Sequence, residues 1–65
     1  MALIAYRWFY LHGHQLQENI YKNADGTLTL HRHSQKPHYG MCTRDMTPYE
    51  MLVWSRQENV TLTNH

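Results

Sequence analysis

A single cysteine, Cys42, leaves no disulfide to staple the fold within one chain. That excludes the disulfide-dense class of small secreted domains and suits a reducing compartment. No stretch approaches the roughly 20 apolar residues that a membrane-spanning helix requires. The run from Met1 to Tyr6 has no basic segment ahead of it and is interrupted at Arg7, so no signal peptide is expected. The Asn59-Val60-Thr61 sequon would matter only in a secreted chain, and a cytoplasmic location is the expectation. Neither sign of charge dominates: six Lys or Arg stand against five Asp or Glu, a formal +1. A protein built mainly to hold nucleic-acid phosphates carries a larger basic excess. The three glycines form neither a phosphate loop nor a dinucleotide fingerprint.

What remains is a chain of 65 residues, one domain at most. A chain this short buries only about 60% of the surface that its unfolded form exposes, so its core is marginal. Chains of this size gain stability from a metal or a partner subunit when disulfides are absent. Two features stand out against that background: five tyrosines and two tryptophans, and six histidines. Protonation of the histidines adds up to six charges to the formal +1, so charge responds to mild acid.

Along the chain, Leu3 to His12 is the most apolar stretch and its aromatics favour a strand. Alternation places Ile4, Tyr6, Trp8 and Tyr10 on one face and Leu3, Ala5, Arg7, Phe9 and Leu11 on the other. Both faces are largely apolar, so both require cover. His12 to His14 reads as a turn around Gly13. Asn23 to Gly26 is a strong turn signal, and the alternation of Thr27 to His33 after it predicts a hairpin of residues 15–22 and 27–34. Ser34 to Arg44 has no periodic pattern and is expected to be a loop. At Thr47, Pro48 and Glu50 the sequence carries a capping box with proline at the first helical position, which predicts a helix to about Glu58. Tyr49, Leu52 and Val53 are its expected apolar face, widened by Met51 and Trp54. Val60 to Thr63 forms a short last strand or a tail. The expected fold class is therefore α+β: a small three-stranded antiparallel sheet, made of the first strand and a β-hairpin, with one C-terminal helix in a single domain.

Residues that could carry chemistry are few. His12 and His14, and His31 and His33, are two His-x-His pairs, with His38 and Cys42 downstream. Pairing Lys22 with Thr27 would set His33 opposite Leu16 and near His14. His14, His31, His33 and Cys42 are thus weak candidates for zinc, and the chain is expected to fold without metal or other cofactor. Cys42 with His38 lacks the context of a catalytic pair. Glu50 is explained by the cap, Asp25 by the turn, and Glu18 and Glu58 by exposed faces. No carboxylate pair suggests acid–base work, and no enzymatic activity is expected.

Aromatic residues on a sheet can stack bases, with Arg7, Arg32 and Arg44 reaching phosphates. The same Tyr6, Trp8 and Tyr10, together with Trp54, fit a protein interface better, because Tyr and Trp bring large contact area with a polar handle. In size and aromatic content the chain resembles small accessory or inhibitor proteins of phages and other mobile elements. The expected function is a non-enzymatic protein-binding module, homodimeric and with a protein partner, and nucleic-acid binding is the alternative.

Overall fold

The computed structural model describes residues 1–34 and 42–63, with Ser34 described by its backbone alone. Strands β1 (Ala2–Leu11), β2 (His14–Lys22), β3 (Leu28–Ser34) and β4 (Cys42–Met46) precede helix α1 (Pro48–Ser55), and β5 (Thr61–Leu62) follows it. All strand pairs are antiparallel, in the order β4-β3-β2-β1-β5. The α+β class and the C-terminal helix are as expected, but the sheet has five strands rather than three.

Two tight turns set the first three strands. Leu11 pairs with His14, so His12 and Gly13 alone make the first turn. Their φ values are 51° and 78°, both positive as a type I′ hairpin requires. Asparagine tolerates that conformation better than histidine. His12→Asn is expected to raise stability by about 1 kcal/mol, read as a higher urea midpoint at unchanged slope.

In the second turn the Gly26 N–H donates to the Asn23 carbonyl at 2.9 Å and the Asn23 N–H donates to the Thr27 carbonyl at 2.8 Å. Gly26 has φ 88°, the left-handed residue that follows a type I turn in a three-residue loop. The Asp25 carboxylate accepts from the Thr27 N–H and hydroxyl, and these bonds, the hydroxyl foremost, hold its pKa below the usual value. This loop pairs Lys22 with Leu28, not with Thr27. The register therefore differs by one residue from the expected one, and His33 stands opposite Gln17 instead of Leu16.

The fourth strand lies within and beyond the segment expected to be a loop. Cys42 to Asp45 are all exposed and only Met46 is buried, so this edge strand carries no alternating apolar signal. Val60 to Thr63 supplies the short strand β5, and the Thr63 N–H donates to the Ile4 carbonyl at 2.9 Å. Because β4 and β5 are opposite edges, the chain between them must cross the sheet. Four strand spacings make about 19 Å. Helix α1 covers about 12 Å, and residues 56–60 complete the crossing.

The capping box forms as expected: the Thr47 hydroxyl accepts from the Glu50 N–H at 3.1 Å, and Glu50 accepts from the Thr47 N–H at 3.0 Å. That backbone bond, followed by Arg44, holds the Glu50 carboxyl below its ordinary pKa. A depressed carboxyl pKa stabilises the fold above the unfolded value and loses that contribution as pH falls through the folded one. The helix ends at Ser55 rather than Glu58, and Asn59 at φ 63° turns the chain away.

The core lies between α1 and one sheet face: Ala5, Ile20, Leu30, Met46 and Trp54, flanked by Ile4, Leu28, Met51 and Val60. Ile4 was expected on the aromatic face. A β-bulge between Leu3 and Ala5 shifts the register there, and Ile4 packs against the core instead. The helix also turns differently from expectation. Trp54 and Met51 face the sheet, while Tyr49, Leu52 and Val53 are exposed.

Candidate functional site

Directly paired residues share a sheet face, so the register sorts every strand residue. On the helix side lie Arg7, Phe9, Leu16, Glu18, Arg32 and Arg44 with the core. On the open side lie Tyr6, Trp8 and Tyr10 of β1, Gln15, Gln17, Asn19 and Tyr21 of β2, His31 and His33 of β3, and Thr43 and Asp45 of β4. Among the described strand residues, this open face holds no Lys or Arg.

The open face is organised in rows. Tyr6 stands opposite Asn19, which stands opposite His31; Trp8 stands opposite Gln17, which stands opposite His33. Trp8 and Tyr10 meet edge to face, with centroids 6.1 Å apart and planes at 89°, a favoured aromatic geometry. They remain 43% and 66% exposed. Beside them the Gln17 amide donates to Asn19 Oδ1 at 3.1 Å, and the Asn19 amide donates to the Tyr21 hydroxyl at 3.5 Å. An aromatic row thus flanks a hydrogen-bonded amide row, with an imidazole row beyond. Three of the four residues expected to bind a partner share this surface. Trp54 does not: it is 7% exposed and part of the core.

The three arginines expected to reach phosphates are all on the helix side, away from Tyr6, Trp8 and Tyr10. Arg7 Nε donates to Glu18 Oε1 at 2.9 Å, Arg32 Nη2 to Glu18 Oε2 at 2.9 Å, and Arg44 Nη1 to Glu50 Oε2 at 2.6 Å. The Arg7 guanidinium also lies 4.2 Å from the Phe9 ring centre, within cation–π range. Stacking surface and cations are therefore on opposite faces, and each cation already has a carboxylate.

Glu18 was expected to be solvent-facing. It is 3% exposed and, besides both arginines, accepts from the Trp54 indole N–H at 3.2 Å. The signal was its place between Leu16 and Ile20 on the alternating apolar face of β2.

The candidate zinc ligands separate for the same reason of parity. His31 and His33 are on the open face, whereas His14 and Cys42 pair with Leu11 and Arg32 on the other. Among the described residues no group of three His, Cys, Asp or Glu is placed to hold a metal. Cys42 is exposed on the β4 edge, and His38, considered as its base, lies outside the described residues.

A groove of about 310 Å³ runs between β4 and α1, bordered by Met46, Tyr49, Val53 and Trp54 and spanned by the Arg44–Glu50 pair. Among the described residues no helix is long and apolar enough to cross a membrane. The chain matches no protein-family model, and neither curated proteins nor solved structures yield a similar protein.

Proposed function

We propose that the protein is a small non-enzymatic binding module, accessory or regulatory and inhibitor-like in role, whose working surface is the open sheet face centred on Tyr6, Trp8 and Tyr10. The observation that carries this reading is the exposure of Trp8 and Tyr10 on a face that holds no Lys or Arg among the described strand residues. Large exposed aromatic patches are costly to leave in water and mark binding surfaces. Tyr6, Trp8 and Tyr10 carry no charge, so desolvating them costs less than desolvating a charged surface. The absence of cations beside the aromatics favours a protein over a phosphate-bearing partner.

The first partner is a second copy of the chain. A two-fold dimer lays one patch on its own copy and requires no further complementary surface. A protein of the host cytoplasm, bound through the same face, fits a role like that of phage and mobile-element accessory proteins, and the free Cys42 suits that compartment.

Trp8→Glu is the test. The side chain is on the helix-free face, so the variant is expected to keep the wild-type far-UV spectrum and to sediment as a monomer. Arg56→Glu, at the end of the helix, is expected to leave association intact. A wild-type chain that stays monomeric at high concentration, together with partner capture unaffected by Trp8→Glu, would refute the reading.

A further inference from the structure

The imidazole row of the open face has a chemistry of its own. His31 and His33 are two residues apart on β3, a strand hydrogen-bonded to β2 on one side and β4 on the other. Their Cβ atoms therefore point the same way, from a backbone paired on both sides at His31, to Asn19 and Thr43, and on the β2 side at His33, to Gln17. The ring centroids are 5.7 Å apart. A metal–nitrogen bond of about 2.1 Å puts a ligated ion about 3.2 Å from each ring centre, so this separation is within the span that two imidazoles on one ion cover. Among the described residues neither imidazole makes a hydrogen bond.

The surroundings suit a cation. No Lys or Arg shares the face among the described strand residues, since Arg7, Arg32 and Arg44 are on the other side in ion pairs. Asn19 and Thr43 stand opposite His31 on its two flanks, and Gln17 stands opposite His33. These neighbours offer neutral oxygens and impose no competing positive charge.

We infer that His31 and His33 chelate one late first-row divalent cation on the open face of the sheet, using the side-by-side placement of their imidazoles. Imidazole nitrogens select Ni²⁺, Cu²⁺ and Zn²⁺ over Mg²⁺ and Ca²⁺, with affinity following the usual order of that series. With two protein ligands the ion keeps open positions, which water or an incoming donor fills. The site is distinct from a structural zinc: it sits on a finished sheet, and the core is assembled without it. It stands independently of the protein-binding reading.

The experiment is a titration of untagged protein with NiCl₂, and separately ZnCl₂, in a Cys42→Ser background that removes the thiol as a competing ligand. One ion per chain is expected, with His31→Asn and His33→Asn each weakening binding by about tenfold or more as the chelate is reduced to one ring. His12→Asn, in the first hairpin turn, is expected to bind as before. Bound Ni²⁺ is expected to broaden the amide signals of Gln17, Asn19, His31, His33 and Thr43 first, while chelation with EDTA leaves the far-UV spectrum unchanged. Wild-type affinity in the His31→Asn/His33→Asn double variant would overturn the proposal. So would an equal loss in His12→Asn, or unfolding on removal of the ion.

Discussion

Glu18→Ala is expected to lower the stability of the fold by about 3–5 kcal/mol. The carboxylate is 3% exposed and has three donors: Arg7, Arg32 and the Trp54 indole. Removing one member of a buried ion network costs about 3–5 kcal/mol, because the partner charges stay buried without compensation. Arg7 is the severe case, with its side chain 13% exposed; Arg32, at 44%, regains water more readily. A domain of this length has about 3–10 kcal/mol of total stability, so the loss consumes a third of it or more. A control separates lost pairing from lost packing. Arg7→Met with Glu18→Leu removes two of the charges and keeps the volume, and it is expected to cost much less than Glu18→Ala. Urea unfolding of the single and double variants makes the comparison, and equal losses would show that packing, not charge, governs the site.

Trp54→Ala is expected to be about as damaging, at roughly 3–5 kcal/mol. Trp54 is the one fully committed contact of a helix that runs only from Pro48 to Ser55, shorter than isolated helices need to be stable. Truncation therefore removes both the largest core side chain and the anchor of α1. Trp54→Phe divides the two contributions. It keeps most of the ring volume but not the hydrogen bond to Glu18, a bond to a charged acceptor worth about 1.5–3 kcal/mol. Thermal unfolding by far-UV dichroism is expected to rank the wild type above Trp54→Phe, and Trp54→Phe above Trp54→Ala. A Phe variant as stable as the wild type would mean that the indole N–H contributes nothing.

These two residues mark where the sequence was legible and where it was not. The hairpins could be read because Gly13 and Gly26 sit where the chain needs positive φ, and the helix start could be read because Thr47, Pro48 and Glu50 satisfy its first turn locally. The strand register could not, since the turn signal Asn23 to Gly26 fits Lys22 opposite either Thr27 or Leu28, and that one step puts His33 on the opposite sheet face from Leu16. The helix face was ambiguous because Tyr49, Leu52 and Val53 form one apolar stripe and Met51 and Trp54 another. Periodicity cannot choose between them; a buried acceptor for the Trp54 indole can. Strand β4 gave no pattern because an exposed edge strand buries only Met46. Of the candidate site, Tyr6, Trp8 and Tyr10 were visible as alternating aromatics. Alternation also sets Arg7 on the opposite face, but the sides of Arg32 and Arg44 were not visible, because they depend on the β2–β3 register and on strand β4.

The open face and the outer face of α1 both expose large apolar side chains, Trp8 and Tyr10 on one and Tyr49, Leu52 and Val53 on the other. Which of them works is decided by a ¹⁵N-labelled concentration series, comparing amide and Trp side-chain shifts between dilute and concentrated protein. The account predicts shifts confined to Tyr6, Trp8, Tyr10 and their cross-strand neighbours Gln15, Gln17 and Asn19, and their disappearance in Trp8→Glu. Shifts gathered on Tyr49, Leu52 and Val53, with the β1 aromatics unmoved, would contradict it.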